Sequence, residues 1–131
     1  MKKYLFLLIT FLFVMTSCQK SKEKVFKEWA VNYTKRHCPE NIDEFTRLDS
    51  IVYFPSTNTN SYYYTVMGSM DNADSLQNNR KELQQSRTEG VINSIDFKPY
   101  KDYHTTIEFI YNSGKTKKEL LKIAVTPEMY N

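Results

Sequence analysis

The chain has 131 residues, 18 basic and 15 acidic, and is 40% hydrophobic and 15% aromatic with only three glycines and four prolines. That composition supports a packed domain and excludes a disordered or low-complexity chain. A formal net charge of +3 is no electrostatic footprint for nucleic acid.

Lys2 and Lys3 open the chain, Tyr4 to Met15 is an uncharged, largely apolar run of 12, and the small residues Thr16 and Ser17 follow. This is the three-part plan of an export signal. A helix of 12 residues reaches only about 18 Å against a hydrocarbon core of roughly 30 Å, which argues against a permanent span. Met15-Thr16-Ser17-Cys18 resembles the bacterial lipoprotein signal, in which an apolar residue and two small ones precede an obligatory cysteine; Met15 stands where leucine is usual. The resemblance implies removal of residues 1–17, a diacylglycerol on the Cys18 sulfur and an acyl chain on the new amino group. No cofactor beyond these covalent lipids is expected. Multiple acyl chains anchor stably where one is marginal. Gln19 to Glu23 lack both the aspartate that often retains lipoproteins at the inner membrane and the acidic cluster used for surface export. By resemblance, the protein belongs on the periplasmic face of the outer membrane.

Without Lys2 and Lys3 the mature chain is nearly neutral, but Lys20, Lys22, Lys24, Lys27, Lys35 and Arg36 crowd its start. Such a run reads first as a solvated linker and helix face, with contact to anionic headgroups as the alternative. Residues 18–23 are expected to be a tether and 24–131 a single domain. Val25, Phe26, Trp29 and Tyr33 recur at helical spacing and Pro39 ends the pattern, so a helix is expected from about Lys22 to His37 with the Trp29 stripe in the core.

Asp49–Phe54 and Ser61–Met67 are β-branched and aromatic, and the polar turn between them makes a hairpin. Asp71 is a candidate N-cap for one long, mostly solvated helix to about Ser94, weakened by Gly90 and closed by Phe97-Lys98-Pro99. Tyr103–Tyr111 and Leu121–Val125 alternate as strands around Asn112-Ser113-Gly114-Lys115. The order α-β-β-α-β-β predicts an α+β domain with a four-stranded antiparallel sheet and helices on one face. His37 to Tyr53 is similar to a segment of small lipoproteins of cystatin-like build, on Cys38-Pro39, Ile42-Asp43, Thr46 and Leu48-Asp49-Ser50; the resemblance implies that fold and no activity.

Catalytic templates fail on their spacing. Ser113-Gly114-Lys115-Thr116 mimics the end of a P-loop, but Phe109 stands where its first glycine is needed. Asp71 to Glu82 mimics a calcium loop, but Ala73, Ser75 and Leu76 occupy positions that need ligands and a glycine. His37, His104 and Cys38 lack metal-site spacing. Cys38 with His37 or His104 is a candidate thiol-enzyme pair, set against a Cys38 that is simply a small apolar residue. Asp49-Ser50-Ile51 and Asp74-Ser75-Leu76 resemble a bacterial O-glycosylation motif, although Ser50 equally suits a turn.

Tyr62, Tyr63 and Tyr64 are candidate binding residues, able to stack on a sugar or peptide; alternation puts Tyr62 and Tyr64 on one face and Tyr63 on the other. The leading expectation is a lipid-anchored, non-enzymatic interaction module that meets an envelope protein, peptide or glycan through an open sheet face or a strand edge.

Overall fold

A computed structural model describes residues 21–131; the expected signal, Cys18 and the first tether residues lie outside these. Helix α1, Lys22–His37, begins inside the expected tether. The Ser21 hydroxyl caps it by accepting from the Lys24 amide, and Lys35, Arg36 and His37 occupy its last turn, where cations suit the helix dipole. Phe26 and Ala30 are its buried residues.

Strand β1 (Glu40–Asn41) is short; β2 (Thr46–Phe54) and β3 (Thr59–Val66) form the first hairpin, turning through Pro55–Thr57 with Asn58 in the left-handed region. The Asn58 carboxamide accepts from the Tyr53 and Thr105 hydroxyls and donates to the Tyr103 and His104 carbonyls, which fixes this turn to the segment before the fourth strand. Helices α2 (Ala73–Asn78), α3 (Arg80–Asn93) and α4 (Lys98–Asp102) follow, then β4 (Thr106–Ser113), β5 (Glu119–Val125) and α5 (Pro127–Tyr130).

The sheet corrects the expectation of four antiparallel strands. It has five, in the order β1-β2-β3-β4-β5, and β3 pairs with β4 in parallel, from Thr59 opposite Thr106 to Val66 opposite Ser113. The cause is the length of the connection. Three helices carry the chain from the end of β3 back to its beginning, and such a crossover permits a parallel neighbour where a tight turn cannot. The expected long helix is also divided: Asn79 breaks it between α2 and α3, and Asn72 rather than Asp71 caps it. Pro99, expected to end a helix, sits in the first turn of α4, where its missing amide hydrogen is not needed. Tyr103 is the cap of α4, not a strand residue.

Both outer strands are partly closed. The Thr34 hydroxyl of α1 accepts from the Ile51 amide at 2.9 Å and donates to the Ile51 carbonyl at 3.1 Å, beyond the stretch of β2 that β1 covers. On the far side, Gln77, Arg80 and Gln84 donate to the carbonyls of Leu120, Lys122 and Ala124 on β5. Unpaired strand edges recruit other strands, and these side chains occupy the groups that would do so. These stretches of strand edge are therefore already occupied by the protein's own side chains.

Leu48, Ile51, Tyr64, Ile107, Phe109 and Ile123 belong to the buried cluster beneath the helices. Over it lies the Arg87 guanidinium of α3, 4.8 Å from the Phe109 ring centre, 5.4 Å from Tyr64 and 5.7 Å from Tyr111, with its Nε donating to the Tyr111 hydroxyl at 2.8 Å. The opposite face carries Arg47, Asp49, Ser61, Tyr63, Thr65 and Glu108. There Asp49 accepts from Arg47 and Thr65, and Glu108 accepts from Ser61 at 2.9 Å.

Candidate functional site

A groove of about 430 Å³ opens on the helical side of the sheet. One wall is α1, whose Val25, Phe26, Trp29 and Tyr33 follow one another along a single side at helical spacing. The other wall is Asp96, Phe97, Pro99 and Tyr100, from the turn Ile95–Phe97 and α4; Leu48, Ile51 and Tyr62 make the floor. The rings hold one another. Phe26 lies 4.4 Å from Tyr100, Trp29 stacks on Tyr33 at 5.2 Å, and Phe97 stands 6.0 Å from Tyr62.

This arrangement corrects the placement of Trp29 in the core. Trp29 and Val25 are each 42% exposed, because the buried stripe of α1 runs through Phe26 and Ala30 and leaves these two on its flank, at the lip of the groove. The periodic pattern was amphipathic, but its apolar arc is wider than the surface the sheet covers.

The electrostatics are those of an apolar site. Burial, with a smaller contribution from Tyr100, pushes the Tyr62 phenol far above its usual range, and burial does the same to Tyr100. The Tyr33 phenol is also raised, first by its 2.9 Å hydrogen bond to the Glu40 carboxylate. All three stay neutral at physiological pH. Among the described residues that line the groove, Asp96 is the sole carboxylate, and none is a cysteine, serine or histidine. The groove can desolvate apolar and aromatic groups.

The three consecutive tyrosines divide as alternation requires. Tyr62 is in the groove floor, Tyr64 is buried under Arg87, and Tyr63 lies on the opposite face, partly exposed. They do not form one binding platform. Cys38 caps the far end of α1. His104 follows Tyr103, whose ring meets Phe26 near the start of that helix; the twelve residues from Phe26 to Cys38 rise about 18 Å, so His104 does not approach the thiol. The His37 ring packs on Tyr33 at 4.7 Å. Burial, then Glu40 and Asp49, push the Cys38 thiol up, opposite to an activated nucleophile. Ser113-Gly114-Lys115-Thr116 is a hairpin turn in which the Ser113 hydroxyl accepts from the Lys115 and Thr116 amides. Among the described residues, no three His, Cys, Asp or Glu side chains gather as a metal-holding group, and no helix is long and apolar enough to cross a membrane.

Sequence reasoning missed the second wall. Phe97 and Tyr100 stood in a segment read as the close of a helix, and no periodicity links them to α1. The available signal was three apolar or aromatic residues, Ile95, Phe97 and Tyr100, within a short stretch carrying turn residues.

Residues 1–121 match the family described as a domain of unknown function, DUF8479. The chain belongs to that family. No curated protein matches this DUF8479 chain. Solved structures share its fold. A Pseudomonas aeruginosa protein described as secreted superposes with a TM-score of 0.68 at 11% identity, covering 86% of this chain and 99% of the other. The pilotin EpsS of the Vibrio vulnificus type 2 secretion system gives 0.58 at 12% identity, covering 84% and 96%. The type II secretion system pilotin AspS from Vibrio cholerae gives 0.56 at 14% identity, covering 82% and 91%. At these identities the likeness is one of fold.

Proposed function

We propose that this DUF8479 protein is a lipid-anchored, non-enzymatic interaction module of the bacterial envelope, held by acylated Cys18 at the periplasmic face of the outer membrane. Its groove receives apolar side chains of an envelope protein. The groove carries this reading: an aromatic cleft of about 430 Å³ with Val25 and Trp29 standing at its lip. A glycan would bring many hydroxyls that need partners, and among the described residues the lining supplies few: Asp96, three tyrosine hydroxyls and the Trp29 indole. Apolar side chains of a protein segment need none. The fold it shares with two pilotins of type II secretion systems supports a protein partner over a small-molecule substrate.

The test pairs two surface variants in a pull-down from native membranes. Val25→Lys with Trp29→Lys alters the groove lip, and Val52→Lys with Phe54→Lys alters exposed residues of β2 on the other side of the sheet. The first pair should lose the co-purifying envelope protein and the second should keep it. Loss with the second pair alone would move the interaction to the open face. The anchor has its own readout: the intact mass of membrane-extracted protein should equal Cys18–Asn131 plus acyl groups.

A further inference from the structure

Ser21 caps α1, and Cys18 stands three residues before it. Three extended residues reach at most about 11 Å. A domain tethered so closely presents the start of α1 to the bilayer, a step that rests on the Cys18 anchor proposed above.

That pole is basic. Lys22, Lys98 and Asp102 border one depression beside α1; Lys98, Lys101 and Asp102 border the adjoining one together with Ile92 and Ile95. Lys98 pairs with Asp102 at 2.7 Å, and the Lys101 amine donates to the Ile92 carbonyl at 2.7 Å. The Lys98 hydrogen bond, with smaller contributions from the charges of Lys98, Lys101 and Lys22, holds the Asp102 carboxyl below its usual range. Ile95 is 81% exposed and Ile92 is 43% exposed beside these cations. Lysines flanking exposed branched apolar residues is the composition of a surface that lies in a membrane interface.

We propose that this pole is a membrane-docking surface: Lys22, Lys98 and Lys101 meet the phosphates of anionic lipids in the leaflet that holds the acyl chains, and Ile95 enters the interfacial layer. Docking fixes the domain's orientation and gives the groove a defined stance above the membrane. Lys115, Lys117 and Lys118 form a second basic group, in the β4–β5 turn. It lies at the other end of β4, whose eight residues span roughly 27 Å, so a domain standing on its α1 pole keeps that turn away from the membrane.

The experiment uses the mature chain with Cys18→Ser, which cannot be acylated, and co-sedimentation with phosphatidylcholine vesicles with and without phosphatidylglycerol. Binding should require phosphatidylglycerol. Each lysine near an anionic surface contributes about fivefold, so Lys22→Gln with Lys98→Gln should weaken binding about 25-fold. Ile95→Ser should weaken it as well, and Lys115→Gln with Lys117→Gln should leave it unchanged. Absence of lipid-dependent binding, or binding lost in the turn variant and kept in the Lys22 and Lys98 variant, would overturn the proposal with the anchor untouched. A native mass lacking acyl groups would overturn the anchor, and with it the reason for choosing this pole.

Discussion

Replacing Arg87 tests whether the helix layer is held by one guanidinium. Its plane covers Phe109, Tyr64 and Tyr111 at 4.8, 5.4 and 5.7 Å, and its Nε holds the buried Tyr111 hydroxyl. A partly desolvated cation over aromatic rings contributes about 1–2 kcal/mol. A hydrogen bond from a charged donor adds about 1.5–3 kcal/mol, and its loss leaves a buried phenol without this partner. Because the terms share one side chain and do not add fully, Arg87→Ala should cost about 3 kcal/mol. For a domain near this size that lowers Tm by roughly 10–15 °C. Arg87→Lys keeps the charge but not the planar fork, and should recover only about half the loss. Thermal and urea unfolding followed by circular dichroism would measure both, and a cycle with Tyr111→Phe should return a coupling of about 1–2 kcal/mol. A lysine variant as stable as the wild type would refute the argument, since charge alone would then suffice.

Other outcomes follow from the same contacts. Thr34→Val strips both partners from Ile51 at the β2 edge and should cost about 2 kcal/mol in urea unfolding, whereas Thr34→Ser keeps the hydroxyl and should cost under about half of that. Removing Gln77, Arg80 and Gln84 side chains together should bare the β5 carbonyls and give concentration-dependent association by analytical ultracentrifugation. Burial pushes the Tyr64 phenol up to about 12 and moves Tyr62 and Tyr100 in the same direction. Unfolded phenols ionise near 10, so the folded chain retains protons that the unfolded one releases. The resulting stability is intact below about pH 10 and is lost as the pH rises through about 12; phenolate absorbance of these rings should therefore appear together with unfolding, not before it.

The hairpins were legible in the sequence because Asp49–Phe54 and Ser61–Met67 are rich in β-branched and aromatic residues and because Tyr103–Tyr111 and Leu121–Val125 alternate with the period of a strand. Strand β1 was not, since two residues, Glu40 and Asn41, carry no period and pair only because the chain turns back onto Leu48 and Arg47. The parallel β3–β4 pairing was hidden because it depends on where the helical connection ends, a global property, not on any residue of either strand. The break at Asn79 was hidden because the polar run around it suits a solvated helix equally well. For the groove, one wall was visible as the apolar stripe of α1. Its function as a lip was not, because a periodic pattern gives the width of an apolar arc and says nothing of how much of that arc the sheet will cover.

The central claim is that the groove, not the open sheet face, holds the partner. A photo-activatable residue placed at Trp29 or Asp96 in the native organism, and separately at Val52 or Tyr63, tests it directly. The account predicts one envelope protein cross-linked from the two groove positions and absent from the two sheet positions. The same protein cross-linked from Val52 or Tyr63 alone would contradict it.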